Sequence, residues 1–226
     1  MDDQLRLFNF AEKGEGEGAF IVADSNRPAI AVLEQWRAWP GGALALVGAQ
    51  GSGKSHLAKL WAAQAGALIL PAKTSSAAAR EAFFARDGRL VIDEADRHRD
   101  DSTLTALLDL ARTEGGAVLL IGRSAPAEWS TNLPDLRSRF SALLTATLGD
   151  PDENLLSELL RRLLRARFIE LRGNVAKYLA QNMERSFAAA HALVEEIDAL
   201  MVEGSHPVPY DVAAEALRRA DKKTPA

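Results

Sequence analysis

The chain has 226 residues, 47% of them hydrophobic and 26% charged, with a formal net charge of −4 and no cysteine. That is enough apolar material for one large domain, or for a compact domain with a smaller partner. The missing cysteines exclude disulfides, zinc–thiolate sites and thiol nucleophiles, and the acidic balance argues against non-specific nucleic-acid binding through phosphate contacts.

The opening segment carries Gln4, Leu5, Leu7, Phe8 and Phe10, and residues 12–18 are a glycine and glutamate stretch with the composition of a flexible tether. On composition alone, an apolar docking peptide on a leash and a tail folded back onto the body are both open. From Ala19 the pattern becomes globular. Residues 20–23 read as extended, and Ser25 or Asn26 would cap a helix through Gln35 with Pro28 in its first turn. Trp36 and Trp39 read as packing residues, and Pro40-Gly41-Gly42 turns the chain into an apolar strand at 43–47.

Gly48-Ala49-Gln50-Gly51-Ser52-Gly53-Lys54-Ser55 follows that strand and fits the phosphate-loop pattern G-x-x-x-x-G-K-[ST]. Leu57, Leu60 and Trp61 then recur at helical spacing, and Gly66 supplies a helix stop. Gly48, Gly51 and Gly53 let backbone N–H groups converge on phosphate oxygens, together with those of Gln50 and Ser52. The helix start adds unpaired N–H groups and partial positive charge. Lys54 is the candidate contact to β- and γ-phosphates, and Ser55 the candidate Mg²⁺ ligand.

Further strands are expected at 67–70, 90–92, 117–121 and 142–145, with helices at 76–86 and 102–112 among them. Such alternation predicts an α/β fold, a five-stranded parallel sheet covered by helices, with functional residues at the strand carboxyl ends. After Gly149-Asp150-Pro151 the pattern is helical only. Leu155, Leu156, Leu159, Leu160, Leu163 and Leu164 form one apolar face opposite Arg161, Arg162 and Arg165, and three more helices follow. The expected division is a tail at 1–18, an α/β nucleotide-binding domain at 19–149, a small all-helical lid at 150–220 and a terminal tail at 221–226.

Leu90-Val91-Ile92 runs into Asp93-Glu94, an apolar strand ending in two acids. Asp93 is placed to hold Mg²⁺ directly or through water, and Glu94 to orient or deprotonate an attacking water. The four histidines show no metal-ligand spacing. With no signal peptide and no membrane-length apolar run, the expectation is a cytoplasmic protein with no membrane partner.

The phosphate loop, acidic strand end and helical lid resemble an AAA+ ATPase. Leu136-Arg137-Ser138-Arg139-Phe140 and Gly53-Lys54-Ser55-His56-Leu57, with Phe20-Ile21-Val22 and Ser25-Asn26, narrow the resemblance to the replication initiator DnaA over residues 19–220. The resemblance stops where DnaA would continue into a helix-turn-helix DNA reader, so it implies no direct sequence-specific DNA binding. With Gln4-Leu5-Arg6-Leu7-Phe8 in front, the chain is similar to the Hda (HdaA) family of regulatory inactivators, in which such a peptide docks on the DNA polymerase sliding clamp, the beta subunit.

That resemblance implies ADP or ATP with Mg²⁺ as cofactors and the clamp and DnaA as partners, with Gln4, Leu5, Leu7 and Phe8 as the clamp contacts. It makes Arg139 the arginine finger, Arg185 the lid arginine that touches nucleotide, and His56 part of the nucleotide-binding segment. The function it implies is negative regulation of replication initiation through hydrolysis of DnaA-bound ATP. Gly122-Arg123-Ser124-Ala125-Pro126 departs from the family pattern after the fourth strand, leaving Ser124 as the nearest sensor candidate. Glu94 keeps an intrinsic ATPase open, and with it the alternative of a self-sufficient helicase loader or remodeller. A homo-oligomer also stays open.

Overall fold

The computed structural model describes residues 20–98, 100–201 and 207–223. The candidate clamp contacts Gln4, Leu5, Leu7 and Phe8 therefore lie outside the described residues.

Strands β1 (Ala43–Gly48), β2 (Leu68–Leu70), β3 (Arg89–Ile92), β4 (Ala117–Gly122) and β5 (Thr145–Leu148) form one sheet in the order β2-β3-β4-β1-β5. Every pairing is parallel. β1 and β4 are buried along their whole length, which is why both read as unbroken apolar runs rather than alternating ones. Helices α1 (Arg27–Glu34), α2 (Lys54–Ala65), α3 (Ser76–Ala85), α4 (Asp101–Glu114) and α5 (Pro134–Ala142) connect or flank these strands.

The core of this unit joins β1, β3 and β4, through residues such as Leu90, Ile92 and Leu120, to Phe83, Leu107 and Phe140 of the helices. A second buried group is aromatic. Trp61 of α2 stacks on Trp39 at 5.3 Å and meets Trp36 edge-on at 6.2 Å, and Trp39 Nε1 donates to the Val32 carbonyl at 2.9 Å. α2 stops at Gly66, whose φ of 71° lies in the left-handed region where a glycine escapes the Cβ clash.

Two local expectations need correction. β5 occupies Thr145–Leu148, not 142–145, because Phe140 is buried and the turn that follows it completes α5 through Ala142. A short apolar run could be helix end or strand, and packing decides. Residues 20–23, read as extended, stand outside the sheet, with Ile21 and Ala23 against Leu155, Leu159 and Phe187. Asn26 stands at the start of α1 without a side-chain capping bond.

The chain divides into two compact units. One comprises Asn26–Ala49 and Gly53–Leu148 among its described residues; the other takes residues 20–25, Gln50–Ser52 and the described chain from Gly149. The second is built from α6 (Glu153–Arg165), α7 (Gly173–Asn182), α8 (Phe187–Leu200) and α9 (Tyr210–Lys223). Leu156, Leu160, Leu179, Val194, Ile197 and Leu217 lie in its core. Asp152 caps α6 by accepting from Leu155 N–H at 2.8 Å, and Ser186 caps α8 by accepting from Ala189 N–H at 3.0 Å. Among the described residues, no helix is long and apolar enough to cross a membrane.

Candidate nucleotide site and the arginine of the opposite edge

β1 ends at Gly48 and α2 begins at Lys54, so the phosphate loop is the turn between a buried strand and a helix N-terminus. Gly51 and Gly53 hold φ values of 83° and 88°, a region that side chains with a Cβ seldom enter. Ser52 is buried, Gln50 exposed and His56 half-buried. Lys54 Nζ donates to the carbonyls of Gly48 at 2.8 Å and Ala49 at 2.7 Å. Burial, and then the Arg123 guanidinium, hold the Lys54 ammonium below the ordinary lysine range, against the opposing pull of Asp96 and Asp93.

Ser55 Oγ donates to Asp93 Oδ2 at 3.3 Å. β4 separates β1 from β3 in the sheet, so this contact links two non-adjacent strand ends. A hydroxyl and a carboxylate side by side are hard oxygen donors of the kind Mg²⁺ takes when phosphate oxygens supply the remainder. The pair thus fits the cation, and the loop with Lys54 fits a polyphosphate.

Glu94 turns elsewhere. Its backbone sits at φ 52°, ψ 41°, a conformation costly for a residue with a side chain, and its N–H donates to Asp93 Oδ1 at 2.9 Å. Its carboxylate pairs with Arg97 at 3.2 Å, and both line a cavity of about 850 Å³ with Lys73, His98 and Asp100.

Two residues of this edge were missed in the sequence. Arg123 is the first residue past β4, the strand beside β1, and its N–H donates to Asp96 Oδ2 at 2.9 Å. Both act electrostatically on Lys54, in opposite directions. Their position just beyond strands β4 and β3 was the available signal. Ser124, the sensor candidate, offers its carbonyl to Trp129 Nε1 at 2.9 Å.

Arg139 occupies the last turn of α5. Its Nη1 donates to Asp109 Oδ1 at 2.5 Å, and its Nε pairs with Asp135 Oδ2 at 2.8 Å. The Arg139 bond holds the Asp109 carboxyl below the usual aspartate range. The side chain also lines a pocket of about 420 Å³ with Pro40, Gly41, Ala43, Leu108 and Arg112. Ala43 is the first residue of β1 and Gly48 the last. Arg139 therefore stands at the amino-terminal edge of the strand and the phosphate loop at its carboxyl end, roughly 16 Å of extended chain away. In the helical unit, Arg185 pairs with Glu153 at 2.9 Å.

A parallel sheet in this order, with a phosphate loop after β1 and a four-helix unit after β5, matches solved structures closely. Domain III of the Thermotoga maritima replication initiation protein DnaA aligns with 88% of this chain and 94% of its own, at TM-score 0.66 and 18% identity. The chain has the AAA+ fold. The Thermotoga maritima RuvB Holliday junction branch migration motor aligns at TM-score 0.64 and 19% identity, over 88% of this chain and 70% of the motor. A replication initiator DnaA bound to AMPPCP and single-stranded DNA aligns at 0.59 and 17%, over 90% and 67%. No protein-family model and no curated protein sequence matches the chain.

Proposed function

We propose that this AAA+ chain is a negative regulator of replication initiation that lends an arginine to the nucleotide of another molecule. The division into a clamp-docking tail (1–18), a nucleotide-binding module (19–149) and a helical lid (150–220) belongs to this reading. Gln4, Leu5, Leu7 and Phe8 dock on the sliding clamp, which raises the local concentration of the module near its target. The module binds ADP or ATP through the loop at 48–55, with Lys54 on the phosphates, Ser55 and Asp93 as Mg²⁺ ligands and Arg185 contributing from the lid. Bound nucleotide stabilises the fold according to its concentration relative to its dissociation constant. Mg²⁺, when bound, neutralises phosphate charge.

One observation carries the proposal. Arg139 lies beside Ala43 at the sheet edge opposite its own phosphate loop, so any phosphate it reaches belongs to a different molecule. The proposed partner is DnaA-ATP, whose γ-phosphate gains the positive charge needed in the transition state. The test is DnaA-ATP hydrolysis with clamp loaded on DNA, with and without the chain. Stimulation lost in Arg139→Ala supports the proposal; unchanged stimulation refutes it.

A second reading, a self-sufficient ATPase of the helicase-loader or remodeller kind, is favoured by the Ser55–Asp93 contact with Glu94 next to it. The Arg97 pairing of Glu94 counts against it. Brisk turnover by the purified chain alone, abolished by Glu94→Gln, would favour this reading over the first.

A further inference from the structure

Arg139 does not present an unopposed charge. Its two acidic partners, Asp109 and Asp135, bring the cluster to a net charge of −1, and Arg112 Nη2 reaches the same Asp109 Oδ1 at 3.5 Å, which restores neutrality. An arginine that stabilises a phosphoryl transition state does so with its positive charge. Here that charge is compensated at hydrogen-bonding distance, and Asp135, 68% exposed, adds repulsion toward an approaching triphosphate.

We infer that Asp109 and Asp135 are positioning residues that mask Arg139, and that Arg112 takes over Asp109 when a partner's phosphate draws Arg139 away. The inference rests on the reading of Arg139 as an arginine finger. Three features support the exchange. Asp109 Oδ1 already faces both arginines, so of the two ion pairs that Arg139 gives up, to Asp109 and Asp135, the handover replaces the first by tightening Arg112 on Asp109. The side chains of Arg112 and Asp109 are 66% and 40% exposed, so both have room to move. Ion pairs at this level of exposure are weak, whereas a phosphate offers Arg139 bidentate, charge-assisted bonds. The apolar floor of the neighbouring pocket, Pro40, Ala43 and Leu108, keeps the aliphatic stem of Arg139 on this edge while its head is exchanged.

The test uses the full chain in the clamp-dependent DnaA-ATP assay, titrating the chain to find the concentration that gives half-maximal stimulation. Asp135→Asn and Asp109→Asn lower that concentration by about fivefold, the effect of removing one unit charge ~4 Å away in a water-like dielectric. Arg112→Ala raises it, and adding Asp109→Asn to Arg112→Ala brings it back, which a merely structural role for Arg112 would not do. ADP affinity, read at the other end of β1, stays at the wild-type value in all of them and reports that they fold. If both asparagine variants need as much chain as wild type, or more, for half-maximal stimulation while Arg139→Ala is inactive, the mask is overturned and the finger stands. If Arg139→Ala stimulates normally, the finger fails and the mask with it.

Discussion

Ser55 and Asp93 meet at 3.3 Å, although they follow strands that are not neighbours in the sheet. The contact exists because β1 and β3 end at the same edge of a parallel sheet with only β4 between them. It puts the first residues of α2 and the end of β3 around one point, where a hard cation and a phosphate oxygen would share donors.

Ser55→Ala is expected to leave the fold intact and remove the Mg²⁺ dependence of nucleotide affinity. Titration of a fluorescent ADP analogue with and without Mg²⁺ should then give similar dissociation constants, where the wild-type chain separates them. Lys54→Ala should weaken binding in both conditions by roughly 10- to 100-fold, the value of a charge-assisted bond.

Glu94 and Arg97 form a second testable pair. Arg97→Ala releases the Glu94 carboxylate from its partner. Any intrinsic hydrolysis by the chain should therefore rise in Arg97→Ala and vanish in the double variant with Glu94→Gln. Steady-state phosphate release by the isolated chain measures both.

Asp152 ties acid stability to the helical unit. Burial pushes its carboxyl up, but the N–H groups of Leu155 and Ser25 that it accepts outweigh this and hold it below the ordinary aspartate range. A depressed carboxylate stabilises the fold fully above its unfolded pKa, and that contribution is lost as pH falls through the lower folded value. Asp152→Ala should cost about 1 kcal/mol at neutral pH, as for other lost helix caps. The difference from wild type should shrink as pH drops below ~4, in urea denaturation followed by circular dichroism.

Trp61 is fully buried between Trp36 and Trp39. Trp61→Ala should destabilise the α/β unit by about 3–5 kcal/mol. Trp61→Phe should cost much less, because Trp61 Nε1 has no hydrogen-bond partner among the described residues and its removal relieves an unpaired donor. The midpoint of chemical denaturation separates the two.

Much of this was legible in the sequence where a local pattern and a tertiary requirement coincide. The glycine spacing from Gly48 to Ser55 encodes the left-handed backbone conformations of Gly51 and Gly53, and the apolar runs of β1 and β4 encode burial on both faces. β5 was misplaced by three residues because Ala142, Leu143 and Leu144 satisfy helix end and strand equally, and only the packing of Phe140 settles it. The left-handed turn at Glu94 and its pairing with Arg97 leave no mark on periodicity. Nor does the Asp109 half of the cradle around Arg139, which comes from a helix 30 residues earlier. Arg123 acts on Lys54 only because β4 lies beside β1, a fact of strand order that no short window contains.

The most direct measurement is single-turnover phosphate release from DnaA-ATP in the presence of DNA-loaded clamp and the chain, comparing Arg139→Ala with a double alanine variant at Leu7 and Phe8. Both should lose stimulation at low concentration, and a large excess of protein should rescue the tail variant but not Arg139→Ala. Wild-type stimulation by Arg139→Ala would contradict the proposal that this chain supplies the charge.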